Sequence, residues 1–262
     1  MAEQKKVVIT GGSSGIGESL VRQFAKAGYE VLFSYCRGGQ RARDLCEELC
    51  SYPVSCGELD QGDPASLQKF INGLPDNIFA LIINGGLGSK TVEKVSSDLM
   101  EQDRALMQVN ALGPMWLCRS MIPVMEKQGQ GKVILMSSVG GGVSVFPGFR
   151  LADQMSKAAL VCMGRLYAAT LASSSVDLFT VCPGATDTPM FQSSTTGNMS
   201  EAELEGFADG LPGRRLIEAD EIAELCLYLC SAQGQVLRGS VLDASLGLGS
   251  APWMIKKSQE QH

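Results

Sequence analysis

Histidine is almost absent from these 262 residues: the one example is His262, at the C-terminus. That argues against a histidine-ligated zinc site and against a histidine general base. None of the nine cysteines forms a C-x-x-C pair, and Cys118, Cys162, Cys226 and Cys230 fall on apolar strand or helix patterns. They read as small buried hydrophobes of a reducing compartment, not as a disulfide frame. No apolar run reaches the roughly 18 residues of a membrane span. Met1 to Lys6 lead directly into a strand pattern, so neither a membrane anchor nor a signal peptide is expected, and a cytoplasmic location is. Positive charge is also in short supply. With 22 Lys and Arg against 28 Asp and Glu the net charge is −6, which disfavours a nucleic-acid surface built on clustered cations.

What the chain does have is a regular alternation. Val7–Thr10, Val31–Tyr35, Val54–Leu59, Ala80–Asn84, Lys132–Ser137, Val176–Cys182 and Ser240–Asp243 read as short β-branched or apolar strands. Helical periodicity is clearest over Ile16–Ala27, Arg104–Glu126, Ala152–Leu171 and Glu218–Leu229. Buried strands separated by helices predict an α/β fold, a Rossmann-type doubly wound parallel sheet of seven strands in one domain over residues 1–250. Residues 189–215 interrupt the alternation with small and polar residues around a short helical stretch at Ser200–Phe207, which suggests a substrate lid. Residues 251–262 read as a C-terminal tail.

The first chemical motif is Thr10-Gly-Gly-Ser-Ser-Gly-Ile-Gly17, placed between the first strand and the first helix. That is the context a dinucleotide loop needs: Gly11 for the tight turn, Gly15 for close phosphate approach and Gly17 for helix packing. Ser13, Ser14 and Ile16 belong to the same loop.

Further motifs follow in order: Asp60 in Leu59-Asp-Gln-Gly-Asp63, Asn84-Gly85-Gly86, Asn110 in Val109-Asn-Ala-Leu-Gly113, Ser138 in Met136-Ser-Ser-Val139, and Leu151-Ala-Asp-Gln-Met-Ser-Lys157. Pro183-Gly184-Ala-Thr186-Asp-Thr188 closes the series. Together they make the chain resemble the short-chain dehydrogenases/reductases over nearly its whole length. The resemblance implies that Asp60 contacts adenine, that Asn84 and Gly85 form the turn after the fourth strand, and that Pro183, Gly184, Thr186 and Thr188 lie beside the nicotinamide. It implies catalytic places for Asn110, Ser138 and Lys157, with Lys157 also binding the nicotinamide ribose. The partner it implies is a small-molecule substrate.

NADP(H) is favoured over NAD(H). An NAD-preferring site keeps an acidic residue at the end of the second strand for the ribose hydroxyls. Here that place holds Tyr35, with Cys36 and Arg37 after it and Arg41 and Arg43 nearby, so nothing repels a 2′-phosphate and several cations complement it.

The departure is Asp153, which stands where the family keeps its proton-donating tyrosine. A carboxylic acid titrates near ~3.9, and a lysine one helical turn away lowers it further unless burial dominates. An ionised carboxylate has no proton to give and opposes a developing alkoxide. It suits a substrate that is itself cationic, such as an iminium, whose reduction needs no acid. Several alternatives stay open at this point: a protonated Asp153 acting on a carbonyl, a nucleotide-binding pseudoenzyme serving as a regulatory or partner subunit, and a non-redox lyase or cyclase. The plainest reading of Asp153 is an i, i+4 ion pair with Lys157. An enoyl-reductase arrangement would need a tyrosine two turns before the lysine, where Arg150 stands. Phe146, Phe149, Met190, Phe191 and Phe207 are candidates for an apolar pocket. The small and apolar faces of Arg104–Glu126 and Ala152–Leu171 predict a homodimer, or the homotetramer the family often forms.

Overall fold

The computed structural model describes residues 4–252; the tail at Trp253–His262 lies outside the described residues. Seven strands form one sheet: β1 (Lys6–Thr10), β2 (Glu30–Tyr35), β3 (Val54–Glu58), β4 (Ile78–Ile83), β5 (Gly131–Met136), β6 (Val176–Pro183) and β7 (Val241–Ala244). All neighbours run parallel, in the order β3-β2-β1-β4-β5-β6-β7. The doubly wound α/β class predicted from the alternation is what forms.

Period-two alternation within each strand feeds two cores. Val7 and Ile9 of β1 point to a face covered by α1 (Gly15–Lys26) and α10 (Ala219–Leu229), where Leu20, Phe24, Ile222 and Cys226 are buried. Val8 between them points to the opposite face, with Leu117, Met121 and Met125 of α5 (Gly113–Lys127). Every residue of β4, β5 and β6 is buried, which explains why β4 is a continuous apolar run and why the charged residues of β5 and β6, Lys132 and Asp177, pair with each other. The first half of the chain adds α2 (Gly39–Glu48) and α3 (Pro64–Asn72). Asp63 caps α3 by accepting from the backbone of Ala65 and Ser66, and Pro64 occupies the first turn, where no donor is needed.

Two details differ from the sequence reading. The single helix over Arg104–Glu126 is two: α4 (Leu99–Met107) and α5, joined by a π-helical turn at Gln108–Leu112. Pro114 supplies the physical cause, because it has no N–H for the carbonyl of Asn110 and the ladder widens there. Cys162 is exposed on its helix, whereas Cys118, Cys226 and Cys230 are buried as expected. Burial of that kind pushes the Cys118 and Cys230 thiols up to about 12. No helix among the described residues is long and apolar enough to cross a membrane.

The strand order reverses between β1 and β4, so the loops after their carboxyl ends diverge and leave a crevice. The remaining elements close over it: α6 (Val139–Gly142), α7 (Leu151–Thr170), α8 (Pro189–Phe191) and α9 (Glu201–Asp209). Within residues 189–215, Ser200 and Glu203 form a reciprocal capping box that starts α9, and α9 buries none of its side chains.

Candidate active site

The crevice is a cleft of about 1350 Å³ at the carboxyl end of the sheet. Its wall includes Gly11, Ser13, Ser14, Gly15, Ile16, Gly17, Tyr35, Arg37, Asp60, Asn84, Gly85, Ser138, Asp153, Lys157, Pro183, Gly184, Thr186 and Thr188. Every site residue singled out in the sequence is therefore on one surface except Asn110, which is 1% exposed and stands behind the wall, and Arg43, which lies off the wall and binds Gln40.

The glycine loop has the geometry of an anion cradle. Gly11 and Gly15 adopt φ of +67° and +55°, and a Cβ at Gly17 would lie 2.0 Å from the Gly11 carbonyl oxygen. Helix α1 begins there with Ser14 at its N-cap making no side-chain capping bond, so its first N–H groups face the cleft for an anion. Asn84 ties the loop to β4: its Nδ2 donates to the carbonyls of Thr10 and Gly11, while the Thr10 hydroxyl oxygen accepts from the N–H of Asn84 and Gly85. A dinucleotide diphosphate fits this cradle.

At the end of β2, a Cβ at Gly38 would stand 2.7 Å from Ser13 Oγ and 3.3 Å from an Arg41 nitrogen, so Ser13 and Arg41 flank one glycine. Arg37 and Arg41 have no carboxylate partner among the described residues, and α2 starts beside them at Gly39 with no side-chain cap. On the other wall, Asp60 Oδ1 accepts from Gly62 N–H at 2.8 Å. Beyond β6, Gly184 allows Ser245 to approach: a Cβ there would meet the Ser245 Cα at 2.8 Å. Thr188 caps α8 by accepting from Phe191 N–H.

The reacting end is built on α6 and α7. Ser138 caps α6, its Oγ accepting from Gly140 N–H at 3.1 Å. Lys157 Nζ reaches the Met136 carbonyl at 3.4 Å. Burial pushes the lysine pKa down, with the Asp153 carboxylate and the Cys182 thiol opposing. The i, i+4 ion pair of Asp153 with Lys157 does not form; the carboxylate Oδ2 accepts instead from Ser89 Oγ at 2.7 Å. Ser89 was not anticipated. It lies in a glycine-rich loop 64 residues before Asp153, and nothing local in the sequence distinguishes it from an ordinary loop serine.

Asn110, held in the π-turn, is used up by hydrogen bonds. Its Oδ1 accepts from Leu87 N–H, and its Nδ2 donates to the Leu87 carbonyl and to Ser156 Oγ. Arg150, in the place where a distant tyrosine could have stood, binds Asp103 and Gln102 of α4. Tyr35 is the only tyrosine on the cleft wall among the described residues. The mouth is apolar: Phe146 and Phe149 pack edge to face at 5.5 Å, Phe191 and Phe207 lie 6.1 Å apart, and Met190 presses on Gly88. All five candidate pocket residues line the cleft.

Comparison with known proteins agrees with this architecture. Residues 11–249 match the family described as Enoyl-(Acyl carrier protein) reductase. The oxidoreductase UcpA of Escherichia coli is 30% identical over 248 residues, covering 90% of this chain and 91% of the relative. D-beta-hydroxybutyrate dehydrogenase of Rhizobium meliloti is 28% identical, covering 90% and 95%. The actinorhodin polyketide ketoreductase, solved with NADPH, superposes with a TM-score of 0.83 at 22% identity, over 95% of this chain and 99% of that one; at that identity it speaks for the fold alone. The chain belongs to the short-chain dehydrogenase/reductase family of oxidoreductases, with a nicotinamide dinucleotide-binding fold.

Proposed function

We propose that this chain is an NADP(H)-dependent oxidoreductase that reduces the C=N bond of a cationic small molecule, an iminium, without the usual tyrosine acid. The observation that carries the proposal is the Asp153 carboxylate: it faces the cleft and pairs with no cation among the described residues, and the family resemblance puts it where a carbonyl reductase needs a proton donor. A negative charge there disfavours a developing alkoxide and stabilises a positive nitrogen. When bound, the dihydronicotinamide supplies a hydride, and the C=N π pair becomes the lone pair of a neutral amine, so no proton is required.

The chain's own residues divide the work. The glycine loop and the start of α1 hold the diphosphate, with Asp60 beside the adenine. Arg37, Arg41 and Ser13 favour a 2′-phosphate, because the arginines carry unpaired charge and Ser13 offers a donor next to them. Lys157 holds the nicotinamide ribose. Phe146, Phe149, Met190, Phe191 and Phe207 exclude water and cover an apolar substrate body, and the face of an aromatic ring also attracts a cation. The exposed Trp116 of α5 and Leu151, Met155 and Leu166 of α7 support a homodimer through these helices.

Titration with NADPH and NADH, combined with Asp153→Tyr, tests the reading. Tighter binding of NADPH is expected, with loss of iminium turnover on introducing tyrosine. Iminium turnover that survives tyrosine, or improves with it, contradicts a role for the carboxylate. Failure to bind either nucleotide contradicts every redox version.

A further inference from the structure

We infer that Ser89 is a positioning residue that fixes one oxygen of Asp153 and leaves the other for a substrate cation, with Asn110 anchoring both ends of the bridge. The inference rests on the C=N reading. Ser89 Oγ donates to Asp153 Oδ2 at 2.7 Å, and Oδ1 accepts no hydrogen bond from the described residues. The bridge is held from both sides. On the loop, Leu87 is clamped through its N–H and its carbonyl by the Asn110 amide, at 2.7 and 2.8 Å. Gly88 N–H donates to Thr91 Oγ1 at 2.7 Å, which pins the residue just before Ser89. On the helix, Ser156 Oγ donates to the Asp153 carbonyl at 2.7 Å and accepts from Asn110 Nδ2 at 3.0 Å. A closed ring results, running Asn110, Leu87, Ser89, Asp153, Ser156 and back to Asn110.

Three consequences follow for the carboxylate. The hydroxyl donor holds one of its oxygens in place. The fixed rotamer keeps it from folding back onto Lys157, so the lysine ammonium stays free for the cofactor. The free oxygen is aimed before substrate arrives, so binding a cation costs little reorganisation. Asn110 thus acts on the reaction through Asp153, from behind the cleft wall.

The test measures binding of N-methyl-3,4-dihydroisoquinolinium, a fixed-charge cyclic iminium, to the NADP+-loaded full chain by calorimetry. For Ser89→Ala we expect roughly tenfold weaker binding of the cation, with a smaller loss of NADP+ affinity because Asp153 then competes for the Lys157 ammonium. Ser89→Thr, which restores the hydroxyl, should bind like wild type. Ser89→Cys keeps the size but weakens the donor, and should fall between the two if alanine disturbs the loop. A crystal structure of Ser89→Ala with NADP+ should show Asp153 turned onto Lys157. Equal cation affinity in wild type and Ser89→Ala, with Asp153→Asn weaker than both, overturns the role of Ser89 and leaves the C=N reading standing. Equal affinity in wild type and Asp153→Asn removes the C=N reading, and the inference falls with it.

Discussion

Replacing Asp153 with asparagine keeps the size of the side chain and removes one charge, so its effect separates a cationic substrate from a neutral one. Two unit charges ~5 Å apart at an effective dielectric of ~20 interact by about 3 kcal/mol. Asp153 is half-buried and faces an open cleft, so screening reduces that to roughly 1.5–2 kcal/mol. At 1.36 kcal/mol per decade, kcat/KM for a fixed-charge iminium should fall about 10- to 30-fold. A neutral ketone of the same shape should lose nothing, because the charge opposing its alkoxide has gone. The same substitution carries a pH signature. Burial already makes Lys157 release its proton at lower pH than a free lysine, and the Asp153 charge works against that shift. Removing the charge lowers the lysine pKa further, so the alkaline limb of kcat/KM, where the ammonium proposed to hold the ribose is lost, should move to lower pH. Initial rates of dihydronicotinamide consumption across a pH series report both effects. Equal losses for iminium and ketone, or an alkaline limb displaced upward, would refute the reasoning.

Two further outcomes test parts of the chain away from the reacting end. Arg37→Glu combined with Arg41→Glu should weaken NADPH at least tenfold while leaving NADH nearly unchanged, since each charged contact to a phosphate contributes about 1.5–3 kcal/mol; an equal loss for both nucleotides in a fluorescence titration would remove these arginines from the phosphate site. At the opposite end of the sheet, Asp177 is 2% exposed and binds Lys132 and Arg238 with its two oxygens. Asp177→Asn leaves a buried lysine without its counter-ion, which costs about 3–5 kcal/mol and should lower Tm by roughly 6–20 °C. A calorimetric Tm within about 2 °C of wild type would show the cluster to be marginal.

Most of the fold was legible because strands buried on both faces have a signature of their own. Ile78–Ile83 is apolar throughout and Gly131–Met136 is apolar but for Lys132, both are bounded by turns, and each strand was located to within two residues at either end. The break between α4 and α5 was not read, although Pro114 was visible: a proline early in a helix is tolerated, and only the tertiary path shows that Gln108–Leu112 widens instead of stopping. The cofactor cradle was legible because its glycines answer a local steric demand that any reader of the loop can reconstruct. The surroundings of Asp153 were not. Spacing along one helix offered Lys157 as its partner, whereas the partner chosen, Ser89, reaches it from the loop after β4. Asn110 was found as a residue, but its work was hidden, since hydrogen bonds to Leu87 and Ser156 depend on how three distant segments meet. Pairings set by topology leave no trace in local pattern.

On the proposed C=N chemistry, the pocket is built for positive charge at the hydride acceptor. That preference is tested most directly by comparing kcat/KM of the wild-type chain with NADPH for N-methyl-3,4-dihydroisoquinolinium and for 1-tetralone, its neutral ketone counterpart, each normalised to its uncatalysed rate with NADPH in the same buffer. The iminium should be accelerated at least about 100-fold more than the ketone, from the combined loss of the acid and gain of the favourable charge. An equal or larger acceleration of the ketone would contradict it.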